Sequence, residues 1–210
     1  FPDFFDPGAG AWWLDDHERG LPAVGEPFIR KSLELGIPTI CVHKGLSGGS
    51  RYSSPMDVGP AARTHRDANF VVYHSGYESG TFEGPYTAAT AEVGVNRLIA
   101  SLERAGIGPN ENVYAELGTT WWNVMRTPTQ AAHVLGKLLK HVGEDNVVWG
   151  TDCLFYGSPQ PQTSRPSQSN TIVLHGQLHV NRVARKLRAT PRGQTSFGSF
   201  FSRAPRRWFS

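Results

Sequence analysis

Long hydrophobic runs are missing from this chain. No stretch approaches the roughly 18 consecutive apolar residues that a membrane helix needs, so no span is predicted. Cysteine is scarce: Cys41 and Cys153 alone make no disulfide framework, which leaves a reducing cytoplasm as the expected setting. The opening FPDFFDPGAG holds acids and prolines but no basic residue, so it lacks the n-region of a secretory signal. Its start at Phe1 in place of Met reads as a fragment. No G-x-G-x-x-G follows the first strand-like run, which argues against a dinucleotide fold. The most uneven absence is acid. Residues 1–162 hold 12 Lys+Arg and 18 Asp+Glu, whereas residues 163–210 hold 9 Lys+Arg and no Asp or Glu. The formal net charge of +3 thus averages a negative body and a positive tail, and reading the whole chain as a basic nucleic-acid binder would be an averaging error.

What is there reads as one globular domain with a tail. Hydrophobic content of 39% and charged content of 19% suit a packed soluble body. Four short runs rich in Val, Ile, Tyr or Phe are bounded by Gly, Pro or Asn, as buried strands are: Pro38–His43, Asn69–Ser75, Asn112–Gly118 and Asn146–Asp152. Helical patterns lie between them. Glu26–Leu35 is closed by Gly36, and Val93–Ala105 gathers Val95, Leu98, Ile99 and Leu102 on one face. Pro128–Val142 places Ala131, Leu135, Leu138, Leu139 and Val142 in one stripe before Gly143, with Thr127 as its expected cap. Segment 1–25 reads as an irregular loop, and Gly76–Thr90 as a long polar one.

The strand tips recur at His43, His74, Glu116 and Asp152, the spacing of successive βα units, which implies a parallel sheet. The fold class predicted is α/β. Residues 1–162 would form four βα units of a TIM-type (β/α)8 barrel, and residues 163–210 an acid-free basic tail. Two readings of the tail stand open: a disordered basic extension, or an out-of-frame translation, since TSRPS at Thr163–Ser167 can be re-read one frame away as Ile-Glu-Ala-Leu.

All four tips lie at the carboxyl ends of their predicted strands, which in a βα barrel is the catalytic mouth. Alternation puts His43 on a face with Cys41, His74 with Val72, and Asp152 with Val148 and Gly150. Two imidazoles and one or two carboxylates converging there suit a divalent metal such as zinc, with an open position for a water that the metal acidifies. Lys44 and Tyr77 flank the two histidines as substrate-pocket candidates, although solvated loop positions explain them as well. His17, His65, His133 and His141 read as solvated, His175 and His179 as a weak i,i+4 zinc pair, and Trp12, Trp13, Trp121 and Trp122 as loop residues.

At this point a resemblance becomes specific. CVHKG, VVYHSGYE, NVYAELG, the run TPTQAAHVLGKLLKHVGEDNVVWGTD and then YGSPQPQ resemble the amidohydrolase-related family of metal-dependent hydrolases, in the branch that includes aminocarboxymuconate semialdehyde decarboxylase. The resemblance runs from about Trp12 to Gln162. It implies that the runs are strands five to eight, the carboxy-terminal half of the barrel. His43 would then be a metal ligand, His74 the residue that activates or orients the metal-bound water, and Asp152 a ligand that also shuttles a proton. Glu116 has no fixed family role and stays a pocket candidate. The family's strand-one His-x-His has no counterpart, because no H-x-H occurs anywhere in the chain. Two ligands are expected to hold zinc weakly, since a tight site takes three or four.

The function this implies is a hydrolase or decarboxylase of a small carboxylated or amide substrate, with no membrane partner and room for a homo-oligomer in full-length relatives. A catalytically inactive remnant is the second reading. A binding module using RVARKLR and RAPRRW to hold nucleic acid is the third, disfavoured because the tail lacks an ordered aromatic or Lys-rich motif.

Overall fold

The computed structural model describes residues 11–20, 22–46, 50–80, 82–159 and 162. Expectations for the tail, including the His175–His179 pair, fall outside the described residues. Helix α1 (Glu26–Glu34) leads into β1 (Thr39–His43), α2 (Val58–Thr64), β2 (Asn69–Tyr73), α3 (Asn96–Ala105), β3 (Val113–Glu116), α4 (Gly118–Val124), α5 (Pro128–His141), β4 (Val147–Val148) and the short α6 (Cys153–Tyr156). The four strands form one parallel sheet in the order β1-β2-β3-β4. Strand order follows chain order without a reversal, the winding of a barrel segment; a doubly wound sheet reverses at its switch point. The fold is thus α/β with a parallel four-strand sheet, consistent with part of a TIM-type barrel.

The core lies on one side of the sheet. Ile40, Val42, Phe70, Val72, Val113, Ala115 and Val147 are buried there against Ile29 of α1, Ala61 of α2, Leu98 and Leu102 of α3, and Val134 and Leu138 of α5. On the opposite side, among the described residues, the buried cluster is Val71 and Val148, with half-buried Tyr73 and Tyr114 beside them. Cys41, from the same side, is exposed.

Several expectations shift. α3 begins at Asn96, and the N–H of Val95 just before it donates to Glu83 Oε1 (2.8 Å). The stretch Gly76–Thr90 is anchored more than its polarity suggested. Glu83 is buried and paired with Lys137 of α5, whose ammonium also donates to Asn96 Oδ1 (2.6 Å). Thr127 precedes α5 with extended backbone but makes no side-chain capping bond. Trp121 and Trp122 lie on α4, not on a loop. Of the histidines expected in solvent, His65 is buried against Glu26 Oε2 (2.7 Å) and His141 sits 3.2 Å from Glu103 Oε1.

Candidate functional site

Alternation along β1 points Ile40 and Val42 into the helix-side core and leaves Cys41 and His43 on the other face. Lys44 follows the parity of Val42. Its side chain is fully buried, with Nζ donating to Asp57 Oδ2 (2.9 Å) and the Tyr52 carbonyl (2.8 Å). Tyr77 is likewise buried in the helix-side core. The structure therefore brings neither of these two pocket candidates beside the strand-tip residues, and neither is solvated.

β2 behaves differently. Strict alternation would place His74 with Val72, on the helix side. Instead the backbone turns over after Tyr73: His74 and Ser75 have φ of 56° and 53°. That left-handed turn swings His74 to the open side, edge-on to His43 with ring centroids 4.9 Å apart. Among the described residues five non-glycine positions have positive φ, and three of them, His74, Ser75 and Asp152 (φ 49°), belong to this cluster. Such conformations cost about 1–3 kcal/mol each and persist where the surroundings over-determine them.

What determines them here is Glu116, at the end of β3. Its Oε2 accepts the N–H of His74 (2.9 Å) and its Oε1 the N–H of Gly118 (2.7 Å). Ser75 Oγ donates to the Glu116 carbonyl (2.8 Å), and Thr120 Oγ1 donates to the His74 carbonyl. The carboxylate thus staples the β2 turn to the first turn of α4. It also explains a glycine: a Cβ on Gly150 would run into Glu116 Oε1. Burial pushes the Glu116 carboxyl up to about 7, against the pull of the two backbone donors and with a further push from Asp152.

His74 Nε2 stands 3.9 Å from Asp152 Oδ2, adjacent but beyond hydrogen-bond length. Its Nδ1 lies 3.7 Å from Glu116 Oε2 and accepts the main-chain N–H of Thr119 (3.1 Å). A backbone N–H can only donate, so Nδ1 is the unprotonated nitrogen and the neutral ring carries its proton on Nε2. Burial, then the neighbouring His43, lowers His74 to about 4. Burial lowers His43 as well, opposed in part by Asp152. Both rings are neutral at pH 7, the form a metal or a proton acceptor requires.

Asp152 also meets α4: Thr119 Oγ1 donates to its Oδ2, and Tyr156 OH donates to Thr119 Oγ1 (3.2 Å). Trp122 stacks on Tyr156 (centroids 4.7 Å apart, 13° between planes) at the edge of the cluster. Trp121 packs in the core, with its indole N–H on the Gln162 carbonyl (3.1 Å). Sequence reasoning passed over Thr119, Tyr156 and the close approach of Gly150; the one available signal was the position of ELGTT immediately after a strand tip.

His43, His74 and Asp152 are thus brought together with Glu116. One part of the expectation is not met. Among the described residues no three His, Cys, Asp or Glu side chains are disposed to hold one metal ion. A hollow of about 430 Å³ opens elsewhere, between α2, α3 and the segment before α1, lined by Asp15, His17, Arg63 and Arg104. No helix among the described residues is long and apolar enough to cross a membrane.

Comparison with known proteins agrees with this architecture. No curated protein and no solved structure matches the chain. A family model described as Amidohydrolase matches residues 4–166, most of the 210-residue sequence. The chain belongs to the amidohydrolase family.

Proposed function

We propose that this chain carries the carboxy-terminal, acid–base half of a metal-dependent hydrolase or decarboxylase centre acting on a small carboxylated or amide substrate. In its motifs the chain resembles the branch that includes aminocarboxymuconate semialdehyde decarboxylase. One observation carries the reading: three strand-tip groups, His43, His74 and Asp152, converge on the open side of the sheet through left-handed turns at His74 and Asp152 that packing alone would not select.

Imidazole and carboxylate are donors that zinc accepts, and His43 and Asp152 are the ligands in this reading. They are two where a tight site takes three or four, so the described residues do not by themselves fit the ion. What the side chains can do is narrower. His74, neutral and holding its proton on Nε2, donates a hydrogen bond toward the space beside Asp152 and orients an oxygen there. Asp152, acceptor-only when ionised, takes a proton from a water or returns one to a leaving group. A second reading, a catalytically inactive relative, is favoured by one observation, the lack of a three-ligand set among the described residues.

Turnover separates the two. The unaltered chain, supplied with zinc, would be assayed against panels of small amides and unsaturated carboxylic acids for release of amine or carbon dioxide. The enzyme reading expects turnover that falls by about 100-fold or more in both His74→Ala and Asp152→Ala. Turnover that survives both replacements undiminished would sink it, and no turnover at saturating zinc would leave the inactive reading in place.

A further inference from the structure

We propose that Thr119 is the positioning residue of this site: its main-chain N–H holds His74 with the proton on Nε2, while its hydroxyl holds the neighbouring Asp152 by Oδ2. The inference rests on the acid–base reading of His74 and Asp152 and adds to it a residue that sets their relative orientation.

The geometry is directional at every link. The Thr119 N–H is a donor and nothing else, so the bond to His74 Nδ1 (3.1 Å) decides which nitrogen is bare. The hydroxyl has one proton, and it is committed to Asp152 Oδ2, because the other hydroxyl contact, from Tyr156 OH (3.2 Å), arrives as a donor. The chain therefore runs Tyr156 to Thr119 to Asp152 in one sense. Thr119 is itself buried, and its carbonyl is held by Asn123 Nδ2 (2.9 Å). The preceding Gly118 leaves room for the ring, since a Cβ there would sit 2.7 Å from His74 Nδ1. The bonds to His74 and Asn123 use the main chain, while those to Asp152 and Tyr156 require the hydroxyl. Valine would fill the same volume, keep the N–H and drop only the hydroxyl.

That difference defines the test, made on the whole chain. The tautomer of His74 is read from ring nitrogen shifts in histidine labelled with nitrogen-15, a measurement that needs no substrate. The unaltered chain is expected to show Nε2–H, and Thr119→Val to show the same, because the main-chain donor remains. Thr119→Val is expected to lose about 10–100-fold in kcat with KM little changed, as outer partners of catalytic groups typically do, and Thr119→Ser to restore it. An unchanged tautomer in Thr119→Val also reports that the start of α4 has kept its place, so a loss of rate is not a loss of fold. The inference is overturned by a His74 that carries its proton on Nδ1, or by Thr119→Val turning over at the full rate. Failure of the functional reading looks different: no turnover by the unaltered chain with the Nε2–H tautomer intact removes the role of the hydroxyl together with that reading. Turnover accompanied by the Nδ1–H tautomer sinks the inference about Thr119 alone.

Discussion

The two faces of the sheet are built from alternate residues of the same strands, yet they obey different rules. On the helix side Ile40, Val42, Phe70, Val72, Val113, Ala115 and Val147 are buried with residues of five helices, α1 to α5. On the other side Val71 and Val148 are the buried pair, and the rest of the strand-end surface is Cys41, His43, Tyr73, Tyr114 and Glu116. Parallel strands are ordinarily covered on both faces. One face here follows that rule with apolar packing, while the other holds titratable groups fixed by hydrogen bonds to main chain. Packing tolerates approximate shape, but a backbone donor 2.7–2.9 Å from a carboxylate oxygen fixes position, as at Glu116. The first face stabilises, and the second orients.

The largest way to break this division is to attack a charge buried on the helix side. Lys44 follows His43 in sequence but belongs to the helix side, fully buried on Asp57. Burial pushes the Asp57 carboxyl up, and the Lys44 ammonium and the N–H of Leu14 (3.0 Å) oppose that. Asp57→Ala would remove that carboxylate from beside the buried ammonium, and removing one partner of a buried pair typically costs about 3–5 kcal/mol. The midpoint of urea unfolding should fall accordingly, while the double replacement Lys44→Met with Asp57→Leu should recover most of the loss. A single replacement that shifts stability by less than about 1 kcal/mol would mean that water reaches the pair.

This is also where the sequence was hardest to read. Strand cores were legible because β-branched and aromatic residues cluster in them, and α1, α3 and α5 because their apolar residues recur at helical spacing. α2 and α4 were not: VGPAART and GTTWWNV contain Gly, Pro, Thr and Val, poor helix formers, and are short enough that tertiary contacts decide them. At the site, His43, His74, Glu116 and Asp152 could be found from their strand-tip spacing. The face of His74 could not, because a left-handed turn overrides alternation after Tyr73. Lys44 was misjudged for the opposite reason, since alternation held and carried it away from its neighbour. Thr119 left no trace, as half of its contribution comes from a main-chain N–H that every residue but proline possesses.

A second prediction uses pH to separate the groups on the orienting face. Glu116 holds its proton more tightly when folded, up to about 7 against 4.5. Its contribution to stability is therefore present below pH 4.5 and lost as the pH rises through about 7. His74 is lowered from 6.5 to about 4, so its contribution is present above pH 6.5 and lost as the pH falls toward 4. Each shift corresponds to about 3 kcal/mol. Between pH 4.5 and 6.5 the two slopes oppose, and the unaltered protein should show a nearly flat stability profile there. Glu116→Gln removes one slope and should leave a protein that loses stability steadily on acidification below pH 6.5. His74→Asn should do the reverse, losing stability as the pH rises from 4.5 to 7. Urea unfolding across that range reads both, and two variants with the same slope would show that the groups do not titrate as an opposed pair.

The smallest expected effect is the most direct comparison of the faces. Val71 and Val72 are neighbours on β2, chemically identical and both buried, at 3% and 0% exposure, but they point to opposite sides. Replacing either by alanine removes the same two methyl groups, so the transfer contribution is matched and only the surroundings differ. Val72 sits in the large core with Phe70 and the helix residues on that side, where neighbours are held from several directions and close incompletely over a void. Val72→Ala should cost about 2 kcal/mol, the transfer term for two methyl groups plus a cavity term. Val71 touches a cluster of Val148, Tyr73 and Tyr114, side chains that can relax into the vacated space. Val71→Ala should cost no more than about 1 kcal/mol. Both values come from chemical denaturation of the two variants under one set of conditions, where errors common to the unfolded state cancel. Equal costs would mean that the open face is packed as tightly as the core, and the division between a stabilising face and an orienting one would then have no energetic basis.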